Sequence, residues 1–192
     1  SHLFRNLGEA FQQVAFQVGS IITTTGFSST DFNQWPALSK TILVLLMFVG
    51  ACAGSTGGGL KVSRILILCK AAKKEFQLYL HPNAVKKIKM DNKTIGHNIL
   101  RSTNIYITLY LIIFAVSVLL ISLDNFDLIT NFTAVTATLN NIGPGLEIAG
   151  PMGNFCSFSY FSKCVMIFDM LAGRLEIFPL MLLFFKGTWK KF

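Results

Sequence analysis

Charge is scarce in this sequence. Only 14% of its 192 residues are charged, where a soluble domain usually carries about a quarter. With 52% hydrophobic residues and a mean hydropathy of +0.55, the composition points to a membrane protein instead of a water-soluble globule. Acid is scarcer still, with 9 Asp and Glu against 17 Lys and Arg. The three histidines, His2, His81 and His97, are scattered, and no paired carboxylates or Ser/His constellation stands out. An enzyme has no basis in these residues. The four cysteines, Cys52, Cys69, Cys156 and Cys164, include no C-x-x-C pair, and each lies in or beside an apolar segment. They read as small buried hydrophobes, not as metal ligands or disulfide partners. No signal peptide is visible, and Ser1 is expected to fall inside an element whose start lies upstream.

The basic excess is concentrated. Lys61, Arg64, Lys70, Lys73, Lys74, Lys86, Lys87, Lys89, Lys93 and Arg101 face only Glu75 and Asp91 in that interval. Apolar segments flank it on both sides, so the positive-inside bias puts residues 70–101 in the cytoplasm. No aromatic or Gly-rich RNA motif accompanies the charge, and nucleic acid is not an expected partner.

Thr103–Leu123 runs for 21 residues without a charge, enough for roughly 30 Å of helix and a full span. Asp124, Asn125 and Asp127 follow, so this helix leaves the basic segment and ends outside. Leu128–Leu139 is only 12 residues long. It is too short to cross and reads as a re-entrant half-helix that turns back at Asn140–Pro144. A polar, glycine-containing loop, residues 145–154, leads to a second apolar run, Phe155–Phe185, closed by Lys186, Lys190 and Lys191.

The first half repeats this pattern without its opening span. Leu7–Ile22 is the short helix, Thr23–Phe27 the turn and Ala37–Ala72 the descending segment. "LSKTILVLLMFVG" (38–50) aligns without a gap on "FSKCVMIFDMLAG" (161–173), so that Ser39-Lys40 falls on Ser162-Lys163 and Gly50 on Gly173. The intervening loops differ in length: Gly26 to Ser39 is 13 residues and Gly143 to Ser162 is 19. An internal repeat of helix, re-entrant helix, glycine turn and helix is the strongest structural signal in the chain. The expected fold is all-α and integral to the membrane, built of pore-type repeat units. Residues 1–72 form one unit lacking its first helix, 73–101 a cytoplasmic basic linker and 102–192 a second unit.

Non-helical backbone at membrane depth leaves carbonyls unpaired, each costing several kcal/mol unless protein or water satisfies it. A passing cation can take those oxygens as a substitute hydration shell. Glycine lets successive carbonyls face one axis, and each short helix aims its partly negative C-terminal end at the same place. The candidate ion-binding backbone is therefore Thr23, Thr24, Thr25 and Gly26 in one turn, and Asn140, Asn141, Ile142 and Gly143 in the other. A plain glycine hairpin between packed helices is the simpler alternative; the recurrence of the motif before matched helices favours a pore. Two loops cannot close a ring of oxygens around a cation. The other half is expected upstream of Ser1 or in another subunit, and the missing outer helix favours upstream.

"GACAGSTGGGLK" (50–61) interrupts the first descending helix. Gly54, Gly57, Gly58 and Gly59 together remove about 3–4 kcal/mol of helix preference relative to alanine. A phosphate loop does not fit, because Leu60 stands where lysine is required and Val62 where Ser or Thr is. Either the segment is a packing kink, or Gly54, Ser55, Thr56, Gly57, Gly58, Gly59 and Lys61 form a movable gate below the turn. In the second unit the matched region carries Asp169, Arg174 and Glu176. Charges at this depth face a partner or a water-filled path. Arg174 is thus a barrier to cations in the pore, a member of an ion pair with Asp169, Glu176 or a missing helix, or both.

Together "TTTGF", "GACAGSTGGGLKVSR", "LHPNAV", "LNNIGPGL" and "GRLEIFP" resemble the C-terminal half of the Trk/Ktr/HKT potassium transporters. The resemblance covers nearly the whole chain in five ordered motifs, as a third repeat without its first helix and a fourth. It implies that Thr23–Gly26 and Asn140–Gly143 line a K⁺ filter through backbone carbonyls. It also implies that Gly54–Gly59 is a gating loop and Arg174 its pore-lining counterpart. K⁺ is then the transported ion, taken up passively or by symport, with no bound cofactor. Family members are homodimers in the bacterial inner membrane, in contact with lipid and controlled by cytoplasmic nucleotide-binding regulatory subunits of the TrkA type. "NNIGPG" departs from a plain T-x-G-Y-G filter, with Pro144 in place of an aromatic. A different class of function is a membrane-embedded docking subunit for a cytoplasmic partner, with no conduction of its own.

Overall fold

A computed structural model of the chain describes residues 4, 6–50, 55, 57–81, 88–90, 93–175 and 177–184. Helix α1 spans Leu7–Ile22 and α2 spans Ala37–Phe48. Both coincide with the segments expected to form the first half-helix and to begin the descent. Pro36 fits immediately before α2, where its missing N–H is no loss and its fixed φ suits a helix entrance. The descent then breaks. Val49–Gly50 (β1) lies parallel to Leu60–Lys61 (β2), with Val49 opposite Leu60 and Gly50 opposite Lys61, so the glycine segment leaves and returns at one point. Helix α3, Val62–Leu80, resumes beyond it.

The basic segment is helical at both ends. Helix α3 runs to Leu80, past the expected limit at Ala72, and α4 begins at His97. Lysine and arginine mark the exit from an apolar environment, but they are good helix formers and do not end a helix. Between the two helices, Lys89–Met90 (β3) pairs antiparallel with Lys93–Thr94 (β4). Lys70 Nζ donates to the Lys89 carbonyl at 2.8 Å, tying this hairpin to α3.

Helix α4, His97–Ile121, is 25 residues long, about 37 Å at 1.5 Å per residue. With its 3-10 extension to Asp124, it is long and apolar enough to cross a membrane. Helix α5 spans Leu128–Leu139, started by Asp127, whose carboxylate accepts from the Ile129 amide at 3.1 Å. Helix α6, Tyr160–Arg174, is capped by Ser159, whose hydroxyl accepts from the Ser162 amide at 3.2 Å. A short helix α7, Ile177–Phe184, follows. The apolar run Phe155–Phe185 is therefore not one continuous helix: α6 ends at Arg174, at the charged "GRLE" stretch.

Helix α5 is the centre of the structure and is buried at Thr130, Asn131 and every position from Thr133 to Leu139. Three of its four threonines tolerate this because their hydroxyls bond back one turn: Thr133 to the Ile129 carbonyl at 2.7 Å, Thr136 to Phe132 at 2.7 Å and Thr138 to Ala134 at 2.9 Å. Small side chains at Ala134 and Ala137 let neighbouring helices approach. One core cluster joins Ile21, Phe32, Trp35, Leu43 and Met47 of the first unit to Ile142 and Leu146 of the second. The units are thus fused through their turns.

The repeat extends further than the aligned helices. Asp31 accepts from the Asn33 amide at 3.0 Å to start a 3-10 turn, Phe32–Gln34. Asn154 accepts from the Cys156 amide at 3.1 Å to start the equivalent turn, Phe155–Ser157. Trp35 and Phe158 follow as buried anchors, 6% and 2% exposed. The extra length of the second loop therefore lies before Asn154. It is docked on the first unit: Asn33 Nδ2 donates to the Glu147 carbonyl at 3.2 Å, and the Glu147 amide donates to Asn33 Oδ1 at 3.0 Å.

Candidate ion-conducting site

Helices α1 and α5 both stop at the same kind of turn. Thr23 and Asn140 are the last near-helical residues, at φ −82° and −91°. Backbone φ then becomes positive at Thr24 (54°) and Gly26 (80°), and at Asn141 (55°) and Gly143 (108°). The N–H groups fold back on the helix end in one pattern. Thr23 donates to Gly19 at 3.0 Å, Thr24 to Ile21 at 3.1 Å and Thr25 to Ser20 at 2.9 Å. In the second turn Asn140 donates to Thr136 at 3.1 Å, Asn141 to Thr138 at 3.1 Å and Ile142 to Ala137 at 2.9 Å. The orphan carbonyls of each helix end are met by these amides. The carbonyls of Thr23–Gly26 and Asn140–Gly143 accept no hydrogen bond among the described residues.

The two turns touch. A Cβ at Gly26 would collide with the Ile142 carbonyl oxygen and lie 3.4 Å from Pro144 Cδ. Gly143 has nothing within 4 Å of the equivalent point, so its need for glycine is conformational alone. All eight candidate filter residues are thus brought together as two adjoining turns of the same geometry.

The glycine segment reaches the same place at Gly58 and Gly59. Gly58 and Gly59 pack on the second turn: a Cβ at Gly58 would lie 2.7 Å from the Asn140 carbonyl oxygen and 2.9 Å from Asn141 Cβ, and one at Gly59 (φ 77°) would collide with Asn140 Oδ1. The Gly57 amide donates to Ser55 Oγ at 3.3 Å. Lys61 closes the segment as the last residue of β2. Gly54 and Thr56 lie outside the described residues, as does most of the "LHPNAV" motif.

Arg174 is exposed at the C-terminal end of α6. Its neighbour Gly173 abuts the second turn, where a Cβ would collide with the Leu139 carbonyl and lie 2.9 Å from Asn141 Nδ2. Asn141 Nδ2 also donates to the Met170 carbonyl at 3.0 Å. The pairing of Arg174 with Asp169 is not formed. Asp169 is fully buried and accepts from Ser117 Oγ of α4 at 2.7 Å; Glu176 lies outside the described residues. Two tyrosines of α4, Tyr106 and Tyr110, also belong to the site and lie in no sequence motif. Tyr110 donates to Asn140 Oδ1 at 2.9 Å, and the Arg64 guanidinium lies 3.8 Å from the centre of the Tyr106 ring. The sequence signal for them is the one-turn spacing of two tyrosines on α4.

A family model described as "TrkH: Cation transport protein" matches residues 3–190. The chain belongs to the TrkH family of cation transport proteins. Among its relatives, the Trk system potassium uptake protein TrkH of Salmonella typhimurium is 42% identical over 179 residues, which is 93% of this chain and 37% of that protein. The TrkH of Vibrio parahaemolyticus is 39% identical over 190 residues, 98% of this chain and 39% of that protein. A crystal structure of the potassium transporter TrkH from Vibrio parahaemolyticus superposes with a TM-score of 0.86 at 38% identity, covering 98% of this chain and 40% of that one. The TrkH-family chain thus spans about two-fifths of the length of these relatives, and is an all-α membrane protein of their fold.

Proposed function

We propose that this TrkH-family chain supplies two of the backbone segments that line a K⁺-selective pore in a potassium uptake protein. The observation that carries the reading is the pair of adjoining turns with one hydrogen-bond pattern, whose eight carbonyls are left to an ion. K⁺ is the transported ion, held by the carbonyls of Thr23–Gly26 and Asn140–Gly143. The remaining oxygens of the ring come from segments outside this chain. The glycine segment, Gly54–Gly59 with Lys61, acts as the gate beneath the second turn, and Arg174 adds a positive charge to the same passage. The protein works in the bacterial inner membrane as a homodimer, with the basic stretch 73–101 on the cytoplasmic side, where nucleotide-binding regulatory subunits of the TrkA type dock. Relatives named as potassium uptake proteins and the matched fold support this reading.

The test uses the intact protein that carries this sequence. It is expected to restore growth of a potassium-uptake-deficient bacterium at low K⁺ and to conduct K⁺ when purified alone into proteoliposomes. Arg174→Ala is expected to raise the flux. A protein that folds and inserts but conducts only with a partner channel would instead be a docking subunit, and the pore reading would fall.

A further inference from the structure

The first residue of the second turn makes contacts that its counterpart in the first does not. Thr23 Oγ1 bonds locally, 2.7 Å from the Gly19 carbonyl and 2.7 Å from Thr25 Oγ1. Asn140 is completely buried. Its Nδ2 donates to the Thr136 carbonyl at 2.8 Å, and its Oδ1 accepts from the Tyr110 hydroxyl at 2.9 Å. Both faces of the amide are therefore specified. Tyr110 is itself 1% exposed, so no water competes for the bond, and a buried Oδ1 left without its donor would be costly. Against this fixed amide rests Gly59, whose Cβ would collide with Asn140 Oδ1, while Gly58 beside it leaves no room for a Cβ against the Asn140 backbone carbonyl and the Asn141 side chain.

One turn earlier on α4, Tyr106 lies under the Arg64 guanidinium at 3.8 Å. Arg64 belongs to α3, the helix that directly follows the glycine segment. The same face of α4 thus holds the helix that follows the glycine segment and the amide on which Gly59 sits.

We propose that Tyr110 is a positioning residue: its hydroxyl fixes the Asn140 amide as the seat on which Gly59 closes, and with it the glycine segment, against the second turn. This rests on the reading of Asn140–Gly143 as filter and of the glycine segment as gate. Tyr110 controls how firmly the segment is seated, and it does so without touching the ion. The asymmetry between Thr23 and Asn140 then has a purpose, because only the second turn carries the seat.

The experiment compares Tyr110→Phe with wild type in the intact protein, by hydrogen exchange and by rubidium tracer flux into proteoliposomes without activating ligand. Losing one neutral hydrogen bond shifts the seated equilibrium about fivefold. Amide exchange in the peptide covering Gly57–Val62 is expected to quicken by about that factor. Basal flux should rise in parallel, with the K⁺/Na⁺ ratio unchanged. In an Asn140→Ala background, Tyr110→Phe should add nothing, which a merely structural tyrosine would not predict. Unchanged exchange at residues 57–62, or an equal effect of Tyr110→Phe with and without Asn140, would overturn the proposal. Should the wild-type protein carry no rubidium, the pore reading fails, and the exchange comparison still decides the seat.

Discussion

Gly26 and Gly143 occupy equivalent places in their turns, yet a methyl group should act differently at each. Both require positive φ, which costs a non-glycine residue about 1–2 kcal/mol. At Gly143 the added Cβ meets open space, so that strain is the whole cost. At Gly26 it would run into the Ile142 carbonyl, one of the oxygens assigned to the ion. Either the first turn or that carbonyl must retreat by on the order of 1 Å, adding about 1–3 kcal/mol of overpacking. Gly26→Ala therefore disturbs two quarters of the proposed ring and Gly143→Ala one. The assay is the reversal potential of the intact protein in bilayers under bi-ionic K⁺/Na⁺ conditions, with thermal melting in detergent as a folding control. Gly26→Ala is expected to lower the permeability ratio at least tenfold, equivalent to about 1.4 kcal/mol, and Gly143→Ala by clearly less. The reasoning is refuted if Gly143→Ala loses as much selectivity as Gly26→Ala, or if Gly26→Ala retains the wild-type ratio.

Two predictions concern stability. Ser117→Ala removes the described donor to the buried Asp169 carboxylate and should cost about 1.5–3 kcal/mol, the range for hydrogen bonds to charged groups; Asp169→Asn in the same background should recover part of the loss in a detergent melt. Asn33→Ala breaks both bonds of the clasp to Glu147 and should cost about 1–2 kcal/mol. Its K⁺/Na⁺ ratio should stay at the wild-type value, because the clasp fixes the docked loop and not the turns.

The half-helices were legible because length and apolarity act locally: Leu7–Ile22 and Leu128–Leu139 form over the expected residues. The break at the glycine segment was legible for the same reason, since four glycines in six residues oppose a helix whatever surrounds them. The equivalence of Asp31–Trp35 with Asn154–Phe158 was hidden by the extra loop length upstream and by the exchange of Asp for Asn and Trp for Phe. Both pairs keep the capping oxygen and the bulky anchor, so the match is chemical more than literal. The end of α6 at Arg174 was not drawn from the sequence although Arg174 and Glu176 stand there, because charge in an apolar run signals depth or a partner and not where a helix stops. Helix α3 ran past its expected end because charge marks depth in a membrane and not secondary structure. The bond from Tyr110 to Asn140 was out of reach, since it joins residues 30 apart through tertiary packing that no periodicity encodes.

The central claim is that the carbonyls of Thr23–Gly26 and Asn140–Gly143 hold the transported ion. It is tested most directly by anomalous diffraction from crystals of the intact protein grown in Tl⁺ as a stand-in for K⁺. The account predicts Tl⁺ peaks within coordination distance of oxygens from both turns, weakened by a given excess of Na⁺ more in the Gly26→Ala protein than in the wild type. Peaks that lie away from both turns, or none between them, would contradict it.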